Sequence, residues 1–454
     1  MRFSETKPTK TLHLVSLGCT KNLVDSEIML GKLKEYEIIN DPTVADVIIV
    51  NTCGFIDSAK EESINTILNL HDERKEESVL VMAGCLTQRY QEELQKELPE
   101  IDIFTGVGDY DKIDKLVNEK RSAFTDEVFL LNESDDRVIT GSSYHAYIKL
   151  SEGCNQTCSF CAIPSFKGKL HSRTLESLVK EVKNLVSNGY KDFSFVSQDS
   201  SSYLRDLNIK DGLEKLIEEV EKIEGVHSAR ILYLYPSTTS LNLIEKIKDS
   251  NVFENYFDMP LQHISSNILK IMKRGKGVEK LKELMNSMKA VPNSFVRTTF
   301  IVGHPGESQE DFEELCDFVR EYKFDRANVF SYSDEDGTSA YDMLDKVPQE
   351  IIDERAEVLG EIIKETTLES LAQEIGNEFD VYVDGESDEH EYLLSARKTA
   401  WAPEIDGEVY INDNQLLNED GEGKQIEFGG KYRVKITELV GDKLLGTVTK
   451  EYAN

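Results

Sequence analysis

The 454-residue chain contains no run of 18 or more apolar residues, so it offers no candidate for a membrane-crossing helix. Its first ten residues, Met1 to Lys10, are polar and hold no apolar signal core. The expected location is therefore the cytoplasm, with no membrane partner. Basic charge is scarce: 52 Lys and Arg stand against 85 Asp and Glu, a net charge of −33. A nucleic-acid binder shows the opposite, a basic footprint that neutralises phosphates. An acidic field instead attracts basic proteins, although it also simply aids solubility. Seven cysteines are an odd number for a disulfide framework, and in a cytosolic chain metal or redox use is the better reading.

The length exceeds what one compact core holds, so two or three domains are expected. Near the N-terminus one unit occurs three times: apolar strands at Leu12–Ser16, Val47–Val50 and Val79–Ala83, each followed by a helical stretch (21–34, 58–70 and 88–98). Unbroken apolar strands alternating with amphipathic helices predict a parallel sheet covered on both faces. A charged, turn-rich stretch, 112–141, reads as a linker with one short strand at Val128–Leu131. Six further strands, near 147–150, 192–196, 229–234, 256–260, 294–302 and 325–330, alternate with helical periodicity and predict a partial or complete βα barrel of TIM type. A long charged helix, 349–374, precedes five strands of alternating apolar and polar residues, which predict a small antiparallel β-barrel. The fold class expected is thus multidomain α/β, with units at 9–125, 140–371 and 374–450.

Cys154-Asn-Gln-Thr-Cys158-Ser-Phe-Cys161 is a C-x3-C-x2-C run just after the first barrel strand. Structural zinc wants four protein ligands, and no fourth Cys or His lies close by. Three thiolates on a 4Fe–4S cluster leave one iron open. Such an iron can bind the amino and carboxylate groups of S-adenosylmethionine and pass it one electron, giving a 5′-deoxyadenosyl radical. Cys19, Cys53 and Cys85 each fall just past the carboxyl end of a strand, where open parallel sheets place their ligands. Three thiols 34 and 32 residues apart can therefore meet in space; the alternative is three buried core thiols. Cys316 shares a helical apolar stripe with Phe312, Leu315 and Val319 and belongs to the core.

The Cys154 run, with Phe160 before the last cysteine, resembles the signature of the radical S-adenosylmethionine superfamily. Over nearly the whole chain the match is closest to its methylthiotransferase branch, built of a cluster domain, a radical domain and a TRAM barrel. The resemblance implies two 4Fe–4S clusters, the second on Cys19, Cys53 and Cys85, with S-adenosylmethionine as cofactor and an external electron donor such as flavodoxin or ferredoxin. One S-adenosylmethionine would then methylate sulfur held at the N-terminal cluster, and a second would furnish the radical that takes a hydrogen from the substrate. Both triads must then face one cavity.

Ser197-Gln198-Asp199 resembles the stretch that contacts the methionine part, Met259-Pro-Leu-Gln262-His263 the family's P-L-Q-H segment, and Gly303-His-Pro305-Gly306-Glu307 a stretch near the nucleoside. Phe160, Gln198, Asp199, Gln262, Gly303, Pro305, Gly306 and Glu307 are accordingly candidate cofactor contacts. His263 is a candidate acid–base group or a satisfied structural histidine, and Arg297 a candidate polar contact. Lone Trp401 reads as a residue of the last barrel's core or edge.

Two branches share this plan. One modifies an adenosine (N6-isopentenyladenosine) of transfer RNA, the other the β-carbon of an aspartate in small-subunit ribosomal protein twelve. Gly18-Cys-Thr-Lys-Asn-Leu-Val-Asp-Ser-Glu27 and Val50-Asn-Thr-Cys-Gly-Phe-Ile-Asp-Ser-Ala-Lys60 look like the ribosomal-protein branch; the RNA branch tends to carry Gln-Met-Asn in place of Thr20-Lys21-Asn22. Residues 374–454 hold eight Lys and Arg against nineteen Asp and Glu, net −11, which disfavours a polyanion and suits docking of a basic ribosomal protein. A non-catalytic electron carrier is the remaining reading, although a carrier normally caps every iron with protein ligands. The readings separate in one assay. Reconstituted protein given dithionite and S-adenosylmethionine should release 5′-deoxyadenosine, Cys154→Ala should fall to background, and Cys316→Ala should retain release. No release with both clusters intact would favour the carrier.

Overall fold

The computed structural model describes residues 10–275, 277–418 and 421–452. Near the N-terminus, strands β1 (Thr11–Ser16), β2 (Glu37–Ile38), β3 (Val47–Thr52), β4 (Val79–Gly84) and β5 (Ile103–Thr105) form one parallel sheet in the order β2-β1-β3-β4-β5. β3 and β4 are buried along their whole length, as unbroken apolar strands between two helical layers must be. β2 and β5 extend the three expected strands. Strand order reverses between β1 and β3, the switch point beside which sheets of this order bind ligands at their carboxyl ends. The third helix, expected as one, is two, Cys85–Arg89 and Gln91–Glu97, broken at Tyr90.

The stretch 112–141 departs from expectation. It opens with a helix, Ile113–Glu119, and no strand forms at 128–131. Those apolar residues have no neighbouring strand to pair with and serve as anchors instead. Leu131 is buried, while Val128 and Phe129 pack on the N-terminal core. The chain then lies so close to the helix Thr20–Lys32 that a Cβ on Gly31 would stand 2.1 Å from the Asp136 carbonyl oxygen. Ion pairs Lys32–Asp135 (2.9 Å) and Arg137–Glu27 (2.6 Å) fasten it there.

Six parallel strands follow, with a hairpin inserted after the first. They are β6 (His145–Lys149), then the hairpin β7 (Ser151–Glu152) and β8 (His171–Ser172), then β9 (Asp192–Val196), β10 (Ser228–Ile231), β11 (Tyr256–Asp258), β12 (Phe295–Val302) and β13 (Arg326–Ser331). They form two sheets, β10-β9-β6 and β11-β12-β13, joined where Ala229 bridges Phe253. Among the described residues nothing pairs β6 with β13, so the barrel is partial. Ile148, Phe193, Phe195, Ile231, Phe257, Val296 and Phe300 point outward into the core shared with the surrounding helices. Cys316 is buried in that core on the helix Gln309–Tyr322.

The helix Gln349–Ala372 leads to a closed barrel of β14 (Glu378–Glu386), β15 (Leu394–Lys398), β16 (Val409–Asn414), β17 (Lys431–Val440) and β18 (Lys443–Glu451), ordered β14-β15-β16-β18-β17. Every seam is antiparallel except β16 with β18, which is parallel. Its core continues into the inner face of the partial barrel: Val381, Trp401, Val409 and Val434 share a cluster with Tyr147, Leu232, Tyr256 and Phe295. Beside that cluster Asp192 is fully buried between two cations, Arg230 (2.7 Å) and Arg397 of β15 (2.5 Å). Arg230 also donates to the Thr399 carbonyl at 2.6 Å. Burial opposes the Asp192 charge, yet the two guanidiniums hold its pKa well below the usual carboxylate range.

Removing one cation from a buried ionic group leaves charge uncompensated and costs about 3 kcal/mol or more. Arg397→Met should therefore lower stability by about that amount, read as a fall in the urea midpoint. A midpoint equal to that of the parent protein would show that this pair does not tie the two barrels together.

Candidate active site

Cys53 and Cys85 follow directly on β3 and β4, and Cys19 stands three residues past the end of β1, so the first three thiols lie at one edge of the sheet. Cys19 is the N-cap of the helix Thr20–Lys32, and Cys85 opens the helix Cys85–Arg89. Gly18 has φ +84°, and a Cβ there would lie 2.7 Å from the Cys53 Cβ and 2.9 Å from its Sγ. Only glycine lets the two strand ends approach this closely. Cys85 Sγ lies 3.6 Å from Asn22 Oδ1. Asn22 Nδ2 in turn donates to the carbonyls of Leu17 and Thr52, both at 3.1 Å, bracing the turns that carry Cys19 and Cys53. Burial pushes the Cys53 thiol up to about 11 and the Cys85 thiol up to about 12. Such thiols give up their protons on binding a metal, not to solvent at neutral pH.

The second triad lies in the loop between β7 and the helix Ile163–Lys167. Cys154 Sγ accepts from the Gln156 amide (3.4 Å), and the Cys161 amide donates to the Cys158 carbonyl (3.2 Å). Cys158 Sγ has Arg274 Nη1 at 3.5 Å and the Tyr235 hydroxyl at 3.6 Å. The Arg274 guanidinium also stacks over the Tyr235 ring at 4.3 Å. Burial raises the Cys154 and Cys161 thiols to about 12.

The other expected residues fall into three places. Around the second triad, Asp199 accepts from Gln156 Nε2 (2.7 Å) and from Ser202 Oγ (2.6 Å). Gln198 Nε2 donates to Glu152 Oε2 at 3.2 Å, while Gln198 Oε1 and Gln262 Oε1 are buried and without a partner. Gln262 adopts φ +73°, a backbone conformation that non-glycine residues rarely take, and its amide is held by the Thr299 carbonyl at 2.8 Å. Phe160 stands edge-on to His304 at 6.3 Å between centroids.

Behind that layer sits the 303–307 turn. The Gly303 amide donates to Glu307 Oε2 (2.8 Å), Arg355 pairs with Glu307 Oε1 (2.7 Å), the Gly306 amide reaches the Asp345 carbonyl (2.8 Å), and the Pro305 carbonyl faces His304 Nδ1 (2.9 Å). His263 is fully buried there, with Nδ1 accepting from the Ser265 amide (3.0 Å) and Nε2 3.8 Å from Glu307. Burial pushes Glu307 up to about 7 and His263 down to about 3. Arg297 stands apart from both groups. It faces Asp258 (3.1 Å) and Asp406 of the C-terminal unit (3.4 Å), at the seam between the barrels.

The carboxyl edge of the N-terminal sheet and the mouth of the partial barrel meet. Lys21, two residues after Cys19, places its ammonium 3.4 Å from the centre of the Tyr233 ring at the end of β10. Burial works against that charge, but Tyr233, Cys19 and Asp258 around it raise its pKa above the ordinary lysine value. Next to them Asp25, Lys149, Glu152 and Lys167 form a closed set of buried ion pairs. Lys149 bonds both acids, and Lys167 lies 3.3 Å from Asp25 and 3.5 Å from Glu152. Ala162 and Phe166, just past Cys161, pack in the same cluster as Cys85. Of these, Lys21, Tyr233, Tyr235, Arg274 and the four charges were not read from sequence. For the tyrosines the signal was available, since both follow a strand whose carboxyl end faces the site. Arg274 sits in a helix-to-loop junction with no motif of its own.

Among the described residues no three His, Cys, Asp or Glu side chains converge as ligands of a single ion would. A four-iron cluster takes each thiolate on a different iron, which needs a wider triangle. The donor set of three thiols and no fourth protein ligand, with unpartnered amide oxygens beside it, fits such a cluster and a small polar cofactor.

Comparison with known proteins agrees along the whole chain. Residues 11–106 match an uncharacterized protein family, UPF0004, residues 148–319 the radical SAM superfamily, and residues 375–449 the TRAM domain. "Ribosomal protein uS12 methylthiotransferase RimO" of Aliarcobacter butzleri is 76% identical over 99% of this chain and 100% of its own. The proteins of the same name from Sulfurovum sp. and Sulfurimonas denitrificans are 64% and 63% identical, over 97% and 96% of this chain and 99% and 98% of theirs. Among solved structures, the radical S-adenosylmethionine methyltransferase TsrM from Kitasatospora setae, with tryptophan substrate and a SAM analog bound, superimposes with a TM-score of 0.51. The superposition covers 71% of this chain and 72% of that one at 14% identity, a likeness of fold. Membership of the superfamily brings S-adenosylmethionine and a 4Fe–4S cluster with it. With relatives this similar over their full length, the chain belongs to the uS12 methylthiotransferase family of radical S-adenosylmethionine enzymes.

Proposed function

We propose that this chain adds a methylthio group to the β-carbon of an aspartate in ribosomal protein uS12, in the cytoplasm, using two 4Fe–4S clusters and an external one-electron donor of the flavodoxin or ferredoxin kind. The observation that carries this reading is the contact between the elements that bear Cys19, Cys53 and Cys85 and those that bear Cys154, Cys158 and Cys161, with Lys21 over Tyr233 and Cys85 in one cluster with Ala162. When bound at the second triad, a cluster with one open iron supplies the electron that splits S-adenosylmethionine and yields a 5′-deoxyadenosyl radical.

The chain's own residues hold and orient. Arg274 sets a fixed positive charge 3.5 Å from Cys158 Sγ. Gln198 Oε1 and Gln262 Oε1, buried without partners, are the acceptors for hydroxyl or amino groups of the cofactor. Asp199 holds Gln156 and so the Cys154 turn. Phe160 forms an apolar wall against His304. Glu307 and His263 shape the 303–307 turn from behind, which sets where the Gly303 and Gly306 backbone can approach a nucleoside. Arg297 positions the C-terminal barrel through Asp406.

The acidic C-terminal unit, eight Lys and Arg against nineteen Asp and Glu, repels an RNA backbone and attracts a basic ribosomal protein. The favoured substrate is therefore uS12 and not transfer RNA.

Mass spectrometry of a deletion strain tests the substrate. The methylthio mass should vanish from uS12, with transfer RNA nucleosides unchanged; loss from the RNA instead would move the chain to the other branch. Two clusters make a second prediction. Replacing Cys154, Cys158 and Cys161 with Ala should leave about half the iron of the reconstituted parent, and replacing all six cysteines should leave none. Complete loss of iron from the triple variant would reduce the count to one.

A further inference from the structure

Most cations at the meeting of the two triads are matched to acids. Lys149 and Lys167 share Asp25 and Glu152, and Arg297 has Asp258 and Asp406. Lys21 differs. Among the described residues no carboxylate stands within 4.0 Å of its Nζ; its close neighbour is the face of the Tyr233 ring. The acid in electrostatic reach, Asp258, is occupied by Arg297 and by the Tyr233 amide, which donates to its Oδ2 at 2.9 Å. Lys21 is only partly exposed, so water satisfies it incompletely. The cradle beneath it is costly. Tyr233 holds φ +63°, a conformation unfavourable for a non-glycine residue, fixed by that amide bond and by its carbonyl accepting from the Ser200 amide at 3.0 Å. Backbone strain of this kind persists where the surroundings enforce it, and it concentrates at binding sites.

The position of this cation is as informative as its lack of a paired carboxylate. Cys19 lies two residues before Lys21, and Tyr235, two residues after Tyr233, has its hydroxyl 3.6 Å from Cys158 Sγ. Lys21 and Tyr233 therefore span the gap from one triad to the other. On the function proposed above, the substrate carbon must be reached from both sides of that gap. In an aspartate the carbon that reacts is bonded directly to the carboxylate. A carbon placed between the triads brings its carboxylate to Lys21.

We propose that Lys21 recognises the side-chain carboxylate of the substrate aspartate, with Tyr233 as the positioning residue that holds the ammonium in the gap. The contact is a charge-assisted hydrogen bond in a partly buried site, which discriminates against a neutral isostere. It rests on the uS12 reading, and it selects aspartate over asparagine at the same place in the same peptide.

The test uses the reconstituted holoenzyme and two fluorescent peptides spanning the target loop of uS12, one with the aspartate and one with asparagine in its place, with binding read by anisotropy. The parent protein should bind the aspartate peptide about tenfold more tightly, a difference of about 1.4 kcal/mol. Lys21→Met should bind both peptides equally, at the parent's asparagine level, and Lys21→Arg should restore part of the preference. Tyr233→Leu should weaken the preference while Lys21 is still present. Iron content is measured for each variant. A preference that survives in Lys21→Met overturns the proposal, as does its absence from the parent. So does a preference lost only in proportion to iron, which would assign Lys21 to holding the Cys19 triad. The underlying reading fails separately: a methylthio mass that persists on uS12 in the deletion strain removes that reading whatever the peptides show.

Discussion

The closed set of charges formed by Asp25, Lys149, Glu152 and Lys167 is the constraint on which the geometry of the cleft depends. Its members come from four places: the helix after Cys19, the first strand of the partial barrel, the hairpin strand before Cys154, and the helix after Cys161. All four side chains are nearly inaccessible, at 1% to 4% exposure. Each buried ion costs several kcal/mol in lost hydration, and only complete mutual pairing offsets that cost. Two lysines and two carboxylates achieve it only when the N-terminal sheet is seated on the barrel mouth. Rotation or sliding of one unit against the other would strand at least one charge in an apolar surround. Fixed relative placement of the two cysteine triads is thus an electrostatic consequence of the seating. A second fastening joins the N-terminal unit to the loop after β13, where Arg89 and Lys60 pair with Glu335 at 2.6 and 2.9 Å.

Much of this organisation was legible in sequence because it rests on short-range pattern. Unbroken apolar strands mark a doubly covered parallel sheet, and the rule that ligands gather at carboxyl strand ends points to one edge of it for Cys19, Cys53 and Cys85. What escaped was long-range pairing. Asp192 and Arg397 lie 205 residues apart, and nothing in either segment marks the other. The inner face of the partial barrel alternates polar residues, Asp192, Ser194, Arg230 and Arg297, with outward apolar ones. In sequence this looks like solvent exposure, although a second domain fills that face. The segment at 128–131 misled for the converse reason. Strand-like composition needs a partner strand, and here the apolar residues found a core to enter first. His263 and Glu307 illustrate a third case: their residue types suggest acid–base chemistry, but Glu307 is paired with Arg355 and His263 is buried with its Nε2 3.8 Å from Glu307, in a layer behind the mouth.

Interior pairing also changes the meaning of the net charge. Lys149, Lys167, Arg173, Arg230, Arg355 and Arg397 are all buried against acids. These cations contribute little to the outer field, and the acids they neutralise are equally hidden. The imbalance of 52 against 85 is therefore carried by the remaining side chains, closer to the surface. Acidity here is a property of the exterior, where it acts over roughly a Debye length on whatever approaches.

That exterior is not free to move. Arg397, Thr399, Pro403 and Asp406 of the C-terminal unit reach into the inner face of the partial barrel, bonding Asp192, Arg230, Tyr147 and Arg297. That part of the inner face is consequently filled, and the triads lie toward its carboxyl end. A TRAM barrel on a flexible tether would act as a detached lure, raising local concentration without orienting anything. One locked in by buried ion pairs presents its acidic surface at a fixed distance and angle from the cleft. A basic protein held on that surface would be presented to the gap between the two triads that Lys21 and Tyr233 span.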